Sequence, residues 1–199
     1  MELDDIRENY RSFEDYKIEK IATEDVTKLR EGVIDILKEE IQRRNLPKSL
    51  IKGIDAQTKE LSEKEFDEYL SLIRNHTCPK CNSKTKKLNA SIVGEVVSVV
   101  VFTNYTKKRK IACSNCLDEL NNKAIGKSSI LGWWGFPWGP IYTIKSIILN
   151  TKMKKKNHTS KPNELLQGFV LENIGYLEAN KNNPEKITQL LNKTNNKIE

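Results

Sequence analysis

A chain of 199 residues, 34 basic and 27 acidic for a formal net charge of +7, is one large domain or two small ones and can bury a core. Its opening, MELDDIRENY, lacks the basic stretch and apolar run of a secretory signal, so an exported, disulfide-framed domain is not the expectation. Charge is unevenly spread: residues 1–70 hold 13 basic and 19 acidic side chains, residues 71–161 hold 17 and 3. The middle of the chain is expected to face something anionic, unless the acidic N-terminal part neutralises it in the fold.

Leu3, Ile6, Tyr10, Phe13, Ile18 and Ile21 recur at roughly helical spacing and predict an amphipathic helix over 3–21. Thr23-Glu24-Asp25 then reads as a cap and acidic first turn for a helix over 24–44, carrying Val26, Leu29, Val33, Ile34, Leu37 and Ile41 inward. Asn45 supplies a left-handed stop and Pro47 blocks continuation. A short helix fits 48–57. Ser62 and Glu65 form a capping box that opens a helix with Phe66, Tyr69, Leu70 and Ile73 inward. Residues 1–75 thus read as a helical module without catalytic spacing.

All four cysteines come as two CxxC pairs, Cys78-Pro79-Lys80-Cys81 and Cys113-Ser114-Asn115-Cys116. A thiolate pair at this spacing grips one side of a tetrahedral zinc, and two pairs close the shell. The expected cofactor is one structural Zn²⁺ on Cys78, Cys81, Cys113 and Cys116, in a reducing compartment; His76 is not needed as a ligand. Pro79 preorganises the first turn, and Asn82 tolerates the left-handed conformation that follows it. Leu117 suits that role less well, so the second turn reads as running into a helix.

Residues 82–112 separate the pairs, more than the usual gap of about 15–20 residues. Ser91-Ile92-Val93 and the run Val96–Thr103 favour strands and predict a long β-hairpin, of two or three antiparallel strands, with Gly94-Glu95 as a turn or bulge. Lys107, Lys108, Arg109 and Lys110 lead back to Cys113 and are candidate contacts for an anionic partner. Tyr105 lies where it could stack on a base.

Residues 130–150 hold all three tryptophans, and their glycines and prolines predict an irregular loop ahead of a helix with Ile141, Ile144, Ile147 and Ile148 on one face. Three readings stay open. The indoles are core beneath the hairpin; or Trp133, Trp134, Phe136 and Trp138 dip into a headgroup region, with Lys154, Lys155 and Lys156 as a polybasic flank; or the segment spans or re-enters a bilayer, against which stand Pro137, Pro140 and Lys145. His158 reads as a surface residue in a polar link, 150–161. A helix starts at Ser160-Lys161-Pro162 and reaches about 179, Asn183-Pro184 caps a short one, and the closing NKTNNKIE reads as frayed. The organisation expected is a helical module at 1–75, a zinc ribbon with the Trp-rich segment at 76–150, and a basic linker with C-terminal helices at 151–199.

The string GWWGFPWGPIYT after a paired CxxC resembles a group of uncharacterised bacterial zinc-ribbon proteins, and the helix ending LKEEIQRRNL is similar to their helical leader. The resemblance implies a ribbon packed against a Trp-rich turn and helix, and implies no activity. Abundant Lys, Asn and Ile point to an AT-rich, bacterial genome.

The expectation is an α+β protein that is not an enzyme: it has no phosphate loop, nucleophile elbow or HExxH, and its zinc would have no open position. It reads as a zinc-ribbon interaction or adaptor protein, cytoplasmic, and peripheral at the inner membrane where the Trp segment docks. The partner expected is a protein or an anionic membrane surface, with RNA, DNA or the ribosome as the alternative; no small-molecule substrate is evident.

Overall fold

A computed structural model describes residues 3–196. In chain order it holds α1 (Leu3–Ser12), α2 (Asp15–Lys20), a π-turn (Ile21–Asp25), a 3₁₀ turn (Val26–Lys28), α3 (Glu31–Arg43), α4 (Ser49–Thr58), α5 (Glu63–Arg74), β1 (Leu88–Val99), β2 (Phe102–Cys113), α6 (Ser114–Leu131), α7 (Trp138–Asn157), α8 (Glu164–Glu172), α9 (Ile174–Asn180) and α10 (Pro184–Asn196). The class is α+β: helices precede and follow one two-stranded antiparallel hairpin. Within the described residues one compact unit takes 3–71 and 168–187, and a second takes 72–167 and 188–196.

The first unit is all helical. Ile6, Tyr10, Ile18, Ala22, Val26, Val33, Ile36, Leu37, Ile41, Leu50 and Ile54 form its core, with Ala179 of α9 among them. The helix expected over 3–21 breaks after Ser12, and Arg44 donates to carbonyls on both sides of the break. Its Nη1 donates to Phe13 O at 2.6 Å and its Nη2 to Tyr10 O at 2.8 Å. The helix expected over 24–44 begins only at Glu31. Thr23 caps nothing; it is buried, and its hydroxyl donates to Glu19 O at 2.8 Å. The π-turn leaves Ala22 O free of the ladder, and Gln57 Nε2 donates to it at 2.8 Å. Other local signals hold as read. Asn45 ends its helix at φ 55°. Ser62 and Glu65 exchange both capping-box bonds, Ser62 N–H to Glu65 Oε2 at 3.1 Å and Glu65 N–H to Ser62 Oγ at 3.3 Å.

The second unit is built around the hairpin. β1 and β2 pair from Leu88↔Cys113 at the base to Val99↔Phe102 at the tip, about 36 Å at ~3.3 Å per residue. Gly94 and Glu95 lie in continuous strand paired one-to-one with Lys107 and Thr106, so neither the turn nor the bulge expected there is present. Gly94 is small for another reason: a Cβ on it would meet Leu149 Cδ2 at 2.9 Å. α6 leaves the base directly from Cys113 and α7 follows it.

α6 and α7 bury polar residues. Asn121 and Ser128 of α6, and Thr143, Ser146 and Asn150 of α7, are all fully buried, while Ile141, Ile144 and Ile148 are exposed. The isoleucine face read from the sequence therefore points outward. The reason is the edge of β1, whose backbone groups need partners. Asn150 pairs with Gly94 as a strand residue would: Gly94 N–H donates to Oδ1 at 3.3 Å and Nδ2 donates to Gly94 O at 2.7 Å. Ser146 Oγ donates to the same carbonyl at 2.8 Å, Val96 N–H donates to Ser128 Oγ at 3.0 Å, and Asn121 Nδ2 donates to Ile92 O at 3.3 Å.

The edge of β2 is closed the same way by α10. Ile111 N–H donates to Asn195 Oδ1 at 2.7 Å and Asn195 Nδ2 returns to Ile111 O at 2.9 Å. The chain end expected to fray is therefore helical through Asn196, its final three residues lying outside those described. The polar link expected at 150–161 is also mostly helix, as α7 continues to Asn157.

Two outcomes follow for stability. Asn150→Ala leaves the buried Gly94 N–H without its acceptor, while Gly94 O keeps Ser146 Oγ, and is expected to cost about 2 kcal/mol, read by urea unfolding of the metal-loaded protein. In the first unit Glu40 is buried between two guanidiniums. Arg43 foremost, and Arg44 after it, outweigh burial and hold its carboxyl down at about 2. Because the folded value lies below the ordinary one, this stability is complete above pH about 4.5 and is lost as pH falls towards about 2. The loss expected is about 3 kcal/mol, and an acid titration of Glu40→Gln should lack that step.

Candidate metal centre

The hairpin base gathers the four cysteines. Cys78 and Cys81 lie on a turn ahead of β1, Cys113 is the last residue of β2, and Cys116 sits in the first turn of α6. The first turn closes as its sequence suggests: Asn82 N–H donates to Cys78 O at 2.9 Å, Cys78 N–H donates to Ser83 O at 3.0 Å, and Asn82 takes φ 56°. The second pair departs from this pattern because Leu117 begins no left-handed turn; it is buried in the helix that Cys113 caps.

All four Sγ atoms lie within 4.8 Å of one another. Cys81 Sγ and Cys113 Sγ are 3.7 Å apart, close to the edge of about 3.8 Å of a tetrahedron with metal–sulfur bonds of about 2.3 Å. The cysteines are free thiols, not disulfides. This donor set is positioned to bind one metal ion. His76 is not among the ligands; its Nε2 is 2.9 Å from Thr188 Oγ1.

The surroundings prepare the thiols unequally. Burial pushes the Cys78 thiol up, but N–H groups of Cys113, Cys81 and Lys80 outweigh it and bring the group down to about 7. Burial, followed by the neighbouring sulfurs, pushes Cys116 well up, and burial raises Cys113. A metal must therefore displace protons on binding, and its hold weakens as pH falls. Glu119 braces the first turn against α6, 2.8 Å from both Lys80 Nζ and Lys123 Nζ. Asp118 ties α6 to the end of α7: Asn157 Nδ2 donates to it at 2.9 Å and His158 Nε2 lies 2.6 Å away. His158 is thus exposed but held against Asp118.

The other residues singled out in the sequence divide between the two ends of this unit. Trp133, Trp134, Phe136 and Trp138 stand exposed at the hairpin tip, so the core reading of the indoles is overturned. Among the described residues no helix is long and apolar enough to cross a membrane. Lys154, Lys155 and Lys156 lie in the last turn of α7, about 24 Å from Trp138 at ~1.5 Å per residue, and do not flank the aromatics. Of the β2 cations, Lys107 is exposed with its Nζ 5.3 Å from the Tyr105 ring centre, Lys108 and Arg109 are half-buried, and Lys110 donates to Asn195 O. Tyr105 packs on Tyr142 at 5.4 Å between ring centres, so it is not free to stack on a base.

Sequence reasoning missed the tip itself. Val99, Val100, Val101 and Phe102 are exposed beside the aromatics, and Phe136 N–H donates to Val100 O at 3.1 Å. The valine run was read as strand; only pairing in space shows that its turn carries no polar residue. No protein-family model, curated protein or solved structure matches the chain.

Protein prepared under reducing conditions is expected to carry one metal ion per chain by elemental analysis. Cys78→Ser or Cys113→Ser should abolish that and disorder the hairpin base, read by amide exchange at Leu88 and Ala112. A metal-free preparation that unfolds as cooperatively as the loaded one would contradict the assignment.

Proposed function

We propose that the chain is a non-catalytic adaptor, clamped by zinc, that docks at a membrane surface through the tip of its hairpin unit. Four soft thiolates at tetrahedral spacing favour Zn²⁺, and with the shell closed by protein the ion's role is to fix the hairpin base. The resemblance of the GWWGFPWGPIYT string to bacterial zinc-ribbon proteins fits this reading.

The observation that carries it is the exposed apolar tip. Val101 is 86%, Phe136 84% and Trp134 70% exposed, next to Val100 and Phe102. A contiguous patch of this kind marks a contact surface. The indole N–H groups are already spent: Trp133 Nε1 donates to Ser129 O at 2.8 Å and Trp134 Nε1 to Ile130 O at 3.0 Å. What these two indoles offer outward is apolar ring, suited to the acyl boundary beneath the headgroups. Val100 holds φ 48°, a strain of about 1–2 kcal/mol for an L-residue, greater when β-branched. Accepting that strain where glycine would avoid it is reasonable for a residue whose side chain is used.

The alternative is a basic protein of nucleic acid, which rests on Lys107, Lys108, Arg109 and Lys110 with the lysines ending α7. Flotation with anionic liposomes separates the two. Docking by the tip is expected to survive high salt, and V101S/F136S/W134S should lower partitioning at least about tenfold, since each apolar side chain contributes roughly 1.5–3 kcal/mol when buried. Binding that vanishes in salt, is competed by RNA and ignores the triple exchange would replace this reading with the nucleic-acid one.

A further inference from the structure

The end of the second unit opposite the tip holds a cavity of about 290 Å³. Arg74, Lys86, Lys87 and His158 line it together with Ser114 and Asn115, and among the described residues no carboxylate does. Arg74 is the last residue of α5 and is 91% buried, being 9% exposed. Its Nη2 donates to the carbonyls of Thr159 and Ser160. Its Nη1, equally buried, has no hydrogen-bond partner among the described residues. A buried guanidinium arm without an acceptor is costly, and the acceptor it fits best is a planar or tetrahedral oxyanion. Ser114 and Asn115 are the first two residues of α6, an 18-residue helix whose positive end faces the same space. Lys86 and Lys87 stand exposed on the rim.

We infer that this cavity binds a phosphate group, free or as a monoester, between the Arg74 guanidinium, the Lys86 and Lys87 ammonium groups and the first turn of α6. The unpartnered Nη1 supplies the fixed donor at depth, and the rim lysines supply attraction and closure. The inference does not depend on membrane docking, because the tip lies at the far end of the hairpin. A competing role for these cations is to offset the two negative charges of a zinc held by four thiolates, and the two roles differ in what they predict.

The test is a titration of ¹⁵N-labelled, zinc-loaded full-length protein with inorganic phosphate, and separately with AMP, at constant ionic strength set by chloride. Saturable shifts are expected at the Ser114 and Asn115 amides and the Arg74 Nε–H, with a Kd of about 1 mM or tighter. K86Q/K87Q exchanges two exposed side chains, so the fold is kept, and should weaken binding about five- to tenfold while zinc retention against a chelator stays unchanged. Tighter binding of AMP identifies a phosphate ester as the ligand; equal binding identifies the oxyanion alone. Shifts that chloride reproduces, shifts unchanged in K86Q/K87Q, or no response to phosphate with zinc lost more readily from the variant would each overturn the inference.

Discussion

A two-stranded hairpin has two open edges and no neighbour to close them, and the second unit is organised by that constraint. Each edge presents backbone N–H and C=O groups that cannot be left dry. The chain answers with asparagine, the side chain that carries an amide of its own. Asn150 closes β1 at Gly94 and Asn195 closes β2 at Ile111, each by a reciprocal donor–acceptor pair. Everything around these pairs follows. Gly94 must lack a side chain so that α7 can come close, and α6 and α7 must turn small polar residues inward to reach the strand. Their isoleucines are left outside.

That inversion gives the unit two unlike ends. At the base, four sulfurs, a brace through Glu119 and a cluster of cations surround the start of α6. At the tip, the return of both strands and the α6–α7 connection expose valine, phenylalanine and tryptophan. The hairpin is the strut between them. On the proposed reading, the two ends take partners of different chemistry, apolar at one and anionic at the other.

Local chemistry was well written in the sequence, and long-range closure was not. The CxxC pairs, the left-handed Asn45 and Asn82, and the Ser62–Glu65 box depend on neighbours a few residues apart, and the structure places all of them as read. The long hairpin was legible from β-branched residues, though Gly94 looked like a turn because its real neighbour, Leu149, is 55 positions away in sequence. The start of α6 was legible at Leu117, but its inward face and the burial of α7 were missed for one reason. Periodicity arguments follow apolar residues, and here the inward positions are Asn121, Ser128, Thr143, Ser146 and Asn150. The cavity around Arg74 was equally invisible, since its walls come from α5, the approach to β1, the start of α6 and the end of α7.

The asparagine and serine seam also sets how this unit should respond to temperature. Exposing apolar surface on unfolding raises heat capacity, whereas exposing buried amides and hydroxyls lowers it. A unit that hides so much polar surface against its strands has a smaller heat-capacity increment than its size alone would give. Its stability curve is correspondingly flat, holding its free energy over a wide span of temperature.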